Sequence, residues 1–283
     1  MKIHRIQTGR VKVKQNQISK AKGMAPKLTK VFFDKHWSDW LPIYAWLIEH
    51  KEGLFVVDTG ETAKTGNDGY LPKWHPYYAM AVQFDVKPEE EIGPQLSNMG
   101  IDPNKDVKKV IMTHLHTDHA GGMHHFPNSE FIIDREEFHS ASGLKGMMAG
   151  YLPHRWPKWL NPTLVGLNNQ PFGPFEKSLK VTDDDSIRIL GTPGHVATHI
   201  SVIVKMEDIY YFLAGDASYK EENMIRGIPD GVGTNDSEDT LHKIQEFTKK
   251  YPTVYLPSHD PENAQRMDNQ ILVPLYETEY ESA

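Results

Sequence analysis

His114-Leu115-His116-Thr117-Asp118-His119 places three imidazoles and one carboxylate within six residues, directly after the apolar run Val110-Ile111-Met112. Zinc and similar borderline metals take imidazole nitrogen and carboxylate oxygen. On a turn after a strand, alternate residues face one point and the next pair faces a point a few ångströms away. The spacing therefore suits two adjacent metals, His114 and His116 serving the first, Asp118 and His119 the second. A lone histidine at a strand end is more often structural, but four ligand types at this spacing reverse that reading. Ala120-Gly121-Gly122 follow, and small residues let the backbone turn tightly there.

Outward from this run, short apolar stretches end repeatedly on polar residues. Leu54-Phe55-Val56-Val57 ends at Asp58-Thr59-Gly60, and Phe131-Ile132-Ile133 at Asp134. Ile187-Arg188-Ile189-Leu190 leads to Gly191-Thr192-Pro193-Gly194-His195, and Val254-Tyr255-Leu256 to Pro257-Ser258-His259. Ile200 to Val204 and Ile209 to Leu213 read as a hairpin around Lys205-Met206-Glu207-Asp208, ahead of Gly215-Asp216. Polar residues at strand ends, on loops held by a rigid sheet, are where sites tend to be built.

Helical patterns lie between the strands. Glu89 to Met99 carries Ile92, Leu96 and Met99 on one face and stops at Gly100. Ser237 to Lys250 opens with Ser237 as its expected N-cap and buries Leu241, Ile244 and Phe247. Many strands with interspersed helices predict an α/β sandwich of sheets with outer helices. Tyr151 to Pro174 has neither period and reads as a long loop. His124 and His125 fall just past the signature, on an expected helix, in surface or packing roles.

The 283 residues contain no cysteine, which excludes disulfides, thiolate ligands and a cysteine nucleophile. The net charge of −7 argues against a nucleic-acid partner. Lys2, Arg5, Arg10, Lys12, Lys14, Lys20 and Lys22 cluster at the start and read as solvated surface. No stretch approaches the about 20 apolar residues of a membrane span, and no secretory signal is visible. The expectation is a soluble cytoplasmic protein without membrane association.

The run from His114 to His119 resembles the HxHxDH signature of the metallo-β-lactamase superfamily. The resemblance extends to His195 after a glycine-rich strand end, Asp216 as the residue bridging two metals, His259 near the C-terminus, and the Asp58-Thr59-Gly60 turn. It implies one αββα domain over residues 1–283, two mixed sheets flanked by helices, with His114, His116, Asp118, His119, His195, Asp216 and His259 holding two divalent ions. Zinc is the default; cobalt, manganese and iron also suit such donors. Asp58 and His199 are candidates to orient ligand side chains from behind.

Within the superfamily, the missing cysteine argues against the best-known zinc β-lactamases, and the acidic balance against tRNA-processing relatives. The long gap from His119 to His195, and the little sequence after His259, argue against glyoxalase II-like thioesterases. Asp216-Ala217-Ser218-Tyr219 resembles the N-acyl-homoserine lactonase, quorum-quenching branch, as do His75-Pro76-Tyr77-Tyr78 and Glu89 to Leu96. That resemblance implies opening of the lactone ring by a metal-bridging hydroxide, with Tyr219 donating to the lactone carbonyl and Asp118 protonating the leaving alkoxide. It also implies a small-molecule lactone with an acyl tail as partner, and a homodimer as one possible assembly.

The tail needs an apolar trough. Trp37, Trp40, Trp46, Trp74, Tyr77, Tyr78, Trp156 and Trp159 are candidates, two or three of which are expected to line it, and segments 61–84 and 151–174 are expected to set tail preference. Two other readings stay open: a hydrolase of another lactone, ester or phosphodiester on the same site, and a non-catalytic metal-binding module.

Overall fold

A computed structural model describes residues 1–20, 27–167 and 170–274, with the backbone alone described at 27–29. Lys22, and Asn168 and Asn169 within the expected loop, lie outside the described residues.

Two mixed sheets face each other. The first comprises β1 (Lys2–Val13), β2 (Leu41–His50), β3 (Gly53–Val57), β4 (Val82–Asp85), β5 (Val107–Ile111), β6 (Glu130–Asp134) and β7 (Thr163–Val165). Its order is β4-β1-β2-β3-β5-β6-β7, antiparallel from β4 to β3 and parallel from β3 to β7. The second comprises β8 (Ser178–Lys180), β9 (Ile187–Gly191), β10 (Ile200–Met206), β11 (Ile209–Gly215) and β12 (Thr253–Pro257), in the order β12-β11-β10-β9-β8. Only β11 and β12 run parallel in that sheet.

The period of two explains the layers. On β2, Tyr44, Trp46 and Ile48 point between the sheets, against Ile189, Val202 and Leu213. Ala45 and Leu47 point the other way, into a second core with Val56, Val110 and the helix Ile92–Asn98. Both faces are covered, so β2 reads as a continuous apolar run with no alternation. On the far side, Leu241, Ile244 and Phe247 of the helix Ser237–Lys250 pack on Leu190, Phe212 and Tyr255 of the second sheet. Helix, sheet, sheet and helix thus stack in four layers. Truncating Trp46 to alanine at the centre would cost about 3–5 kcal/mol.

Four expectations need correction. The helix expected from Glu89 begins at Ile92, after a 3-10 turn at Pro88–Glu90. Pro94 lacks an N–H and disfavours helical backbone before it, so it is accommodated in the first turn. The N-cap position of the last long helix is Asp236; the hydroxyl of Ser237 donates to Thr234 O instead. The stretch Tyr151–Pro174 is not all loop, since it supplies the edge strand β7. Lys14 is buried, its ammonium 4.0 Å from the Trp37 ring centroid, rather than solvated. Among the described residues, no helix is long and apolar enough to cross a membrane.

Candidate metal centre

The carboxyl ends of β3, β5, β11 and β12 open on to one place between the sheets. After β5 the chain runs through Met112 to His116 and into the short helix Thr117–Ala120. This turn is clamped from β3. Asp58 accepts from the backbone N–H and hydroxyl of Thr113, each at 2.8 Å, and stands 2.8 Å from His119 Nδ1. The N–H and hydroxyl of Thr59 both donate to His119 O at 2.7 Å. Close packing explains the flanking glycines: a Cβ on Gly60 would lie 1.9 Å from Thr8 Oγ1, and one on Gly122 2.2 Å from Thr59 O.

The sequence-predicted ligands come together in overlapping groups: His114, His116 and His195; His114, His119 and Asp216; and Asp118, His119 and His259. In the first, His116 Nδ1 stands 3.0 Å from both His114 Nε2 and His195 Nε2. Asp216 spans the compartments. Its Oδ1 is 3.3 Å from both His119 Nε2 and His259 Nε2, and its Oδ2 is 3.5 Å from His195 Nε2. Asp118 Oδ2 lies 3.5 Å from His259 Nε2.

Most outer ring nitrogens have a partner behind them. His114 Nδ1 stands 3.1 Å from Thr113 Oγ1, His195 Nδ1 2.6 Å from Asp230 Oδ2, and His259 Nδ1 2.9 Å from Pro42 O. With His119 on Asp58, four imidazoles are aimed inward through Nε2, the arrangement a metal ligand needs. Inside, His119 Nε2 and Asp216 Oδ1 are buried without a hydrogen-bond partner. Orphaned polar atoms at this depth are costly, and a cation between them would satisfy both. The donor set therefore fits two divalent ions.

Burial pushes the His114 and His116 imidazoles well below the usual histidine range, and neighbouring imidazoles add to it. At His119 burial acts the same way, but Asp216 and Asp58 outweigh it and raise the ring well above that range. At His195 burial is likewise outweighed by Asp230 and Asp216, which lift it to about 9. Positive charge is thus called for beside Asp216, where metal binding would release protons.

His199 lies behind Asp216. Its Nε2 accepts the Asp216 backbone N–H at 3.0 Å, and its Nδ1 stands 2.9 Å from Thr192 Oγ1. Burial and the charge of His195 push it down to about 3, so the ring is neutral. Tyr219 covers the cluster with its ring stacked on His259 at 5.4 Å. Burial and nearby Tyr77 hold its phenol well above the usual tyrosine range, so it keeps its proton.

Three contributors escaped sequence reading. Gln17 Nε2 donates to Tyr219 Oη at 2.8 Å and to Tyr77 Oη at 2.9 Å. Asp230 backs His195. Buried Glu137 accepts the Leu115 N–H at 2.9 Å and the Thr198 hydroxyl, joining the signature turn to the loop after His195. None belongs to a local spacing pattern. Asp134, read only as the end of a strand, caps the helix Arg135–Ala141, and that cap is a signal that could have found Glu137.

A cavity of about 560 Å³ opens above His116, Asp118, His195, Asp216 and Tyr219, with walls that include Trp74, Tyr77, Tyr78, Phe84, Met148 and Tyr151. Three of the eight aromatic candidates therefore line it. Trp46 is core, and Trp156 lines a separate cavity. Segment 61–84 supplies Trp74 to Tyr78 and Phe84 to this wall; among the described residues of 151–174 Tyr151 alone reaches it, beside Met148 to Gly150 just before it.

The pattern of the metallo-beta-lactamase superfamily matches residues 38–259. The N-acyl homoserine lactonase AttM of Agrobacterium fabrum is 28% identical over 230 residues, covering 78% of this chain and 83% of that protein. The N-acyl homoserine lactonase AiiA of Bacillus thuringiensis subsp. kurstaki is 29% identical over 229 residues, covering 78% and 82%. An N-acyl homoserine lactone hydrolase solved with N-hexanoyl-L-homoserine at its catalytic metal centre superposes with a TM-score of 0.71 at 23% identity, covering 93% of this chain and 94% of that one. The dizinc quorum-quenching lactonase AidC gives 0.63 at 15% identity, covering 92% and 87%.

Proposed function

This chain belongs to the metallo-beta-lactamase superfamily, and from that premise we propose that it is a dinuclear-metal hydrolase opening the lactone ring of N-acyl-homoserine lactones. The observation carrying this reading is Tyr219, its phenol protonated, lining the same apolar-walled cavity as the histidine–aspartate cluster. Relatives named as lactonases cover most of the chain, which supports it.

In this reading His114, His116 and His195 would hold one ion, Asp118, His119 and His259 the other, and Asp216 would serve both. Zinc is the expected metal. When bound, such a pair lowers the pKa of water and polarises a carbonyl. The chain's own residues then do the following. Tyr219 donates its phenol proton in a hydrogen bond to the lactone carbonyl, where negative charge develops. Gln17 already donates to the phenol oxygen, so its proton is left for the substrate. Asp118, at the cavity floor, would take a proton from the attacking water and pass it to the ring oxygen as the acyl carbon–oxygen bond breaks. The acyl tail lies along the wall made by Trp74, Tyr77, Tyr78 and Met148, away from water. The core shared by both sheets supports reading residues 1–283 as one domain.

The test is proton release by zinc-loaded protein from N-hexanoyl-homoserine lactone, beside hydrolysis of bis(p-nitrophenyl) phosphate. Ring opening that disappears with a chelator and returns with zinc is expected. Turnover of the phosphodiester alone, or metal bound without any hydrolysis, overturns the reading.

A further inference from the structure

Past the signature, His124 and His125 lie on a 3-10 turn, Met123–His125, against Glu91 at the start of the helix Ile92–Asn98. Their ring nitrogens converge on one carboxylate oxygen. His125 Nε2 is 2.7 Å and His124 Nε2 3.3 Å from Glu91 Oε2. We propose that these three residues form a further divalent-cation site, structural rather than catalytic, separate from the cluster around Asp216.

The groups are prepared as metal ligands generally are. Glu91 Oε1 is occupied, accepting the Thr62 hydroxyl at 3.0 Å and the Ala63 N–H at 2.9 Å. That leaves Oε2 to face the imidazoles. His124 Nδ1 is held 3.2 Å from Gly121 O, which turns its Nε2 toward the carboxylate. The His125 ring fits only because residue 93 is glycine: a Cβ there would lie 2.3 Å from His125 Nδ1. Burial would raise the Glu91 carboxyl, yet His124, His125 and the Ala63 N–H hold it well below the usual carboxylate range, so it is ionised.

Two imidazoles and a carboxylate suit zinc, cobalt or nickel, with water completing the shell. His124 also lines a cavity of about 390 Å³ beside the site. Arg155 shares this cavity but is turned on to the Tyr70 ring and the carbonyls of Gly69 and Tyr70. The site's work follows from its anchors. It ties Gly121, Thr62 and Ala63 to the start of the helix, and so stabilises the fold there. The remaining histidine–acid group among the described residues, His50, Glu52 and Asp184, is less suited, because Lys51 already sits 3.1 Å from Asp184.

The experiment is metal counting and anomalous diffraction on cobalt-loaded full-length protein, desalted before measurement. A peak between Glu91, His124 and His125 is expected, with one equivalent beyond those of the catalytic cluster. The H124A/H125A double variant should lose that one equivalent and some thermal stability while keeping ring opening. H116A should lose metal from the catalytic cluster but retain this peak, so the two sites are judged separately. An absent peak, a peak seen only with excess cobalt in the crystal, or the same count in wild type and double variant overturns the proposal.

Discussion

Asp230 Oδ2 stands 2.6 Å from His195 Nδ1, with both side chains buried. The other Asp230 oxygen accepts the N–H groups of Val232 and Gly233, so the carboxylate is fixed on both sides. It in turn sets the tilt of the imidazole, whose Nε2 meets His116 Nδ1 at 3.0 Å. This pair fixes one corner of the three-histidine compartment from a residue 35 positions away.

Asp230→Asn keeps the shape but removes the charge behind His195. Outer partners of ligand histidines typically contribute tenfold to a hundredfold in metal affinity. Zinc affinity, measured by competition with a chromophoric chelator, should therefore fall by about that factor at one of the two catalytic ions. Unchanged affinity would mean that His195 is oriented by packing alone.

Gln17 and Tyr219 should behave as a unit. Tyr219→Phe removes the proposed carbonyl donor, and kcat should fall by about tenfold to a hundredfold with metal content near normal. Gln17→Leu removes the donor that turns the phenol, and should lower kcat in the same direction by less. The double variant should be no worse than Tyr219→Phe, because coupled residues are non-additive. Additive losses would uncouple Gln17 from Tyr219, and a fully active Tyr219→Phe on lactones would remove Tyr219 from the reaction.

What could be read from the sequence follows the range of each interaction. His114 to His119 is legible because its spacing is local, and the strands β9 to β12 because short apolar runs end on turn residues or meet at a hairpin. Strand β2 gave no alternation, because both of its faces are buried. The short edge strands β4, β7 and β8 have too few residues to show a period. Gln17 reaches Tyr219 across 202 positions and Asp58 reaches His119 across 61, distances over which no spacing rule operates. Asp58 is legible through its turn motif; Gln17 and Asp230 sit in no motif and emerge only from folding.

Glu61 gives a pH prediction. Its carboxyl is buried beneath the signature turn, accepting from the Thr62 N–H at 2.8 Å and the Thr117 hydroxyl at 3.1 Å. Burial raises it from 4.5 to about 8, with Asp118 adding to the shift. The folded state therefore holds a proton that the unfolded chain releases at lower pH. This contribution is present in full below pH 4.5 and is lost as pH rises through about 8. Glu61→Gln mimics the protonated acid and cannot ionise. Its Tm should decline less than that of wild type between pH 5 and pH 9, measured by calorimetry at fixed ionic strength. Parallel Tm profiles would show that Glu61 does not carry the proton.

Tyr78 joins the two segments that wall the cavity, its phenol donating to Gly150 O at 2.6 Å. Tyr77 beside it is tied instead to Gln17 and the floor. The helix Pro76–Met80 is therefore anchored to the chemistry by one tyrosine and to the Met148–Tyr151 wall by the other. Tyr78→Phe keeps the ring and loosens the wall, leaving His75 Nε2, 3.2 Å from Met148 O, as the other tie. A wall that shifts costs most for a ligand that buries against it, so KM should rise severalfold for a ten-carbon acyl chain and little for a four-carbon one. The kcat for the short substrate should hold, since Tyr219, Gln17 and the metal cluster are untouched. Steady-state kinetics across the chain-length series separates the outcomes. Equal KM changes at every length would mean that the tail does not lie on this wall, and a fall in kcat alone would mean that Tyr78 acts on the reacting centre.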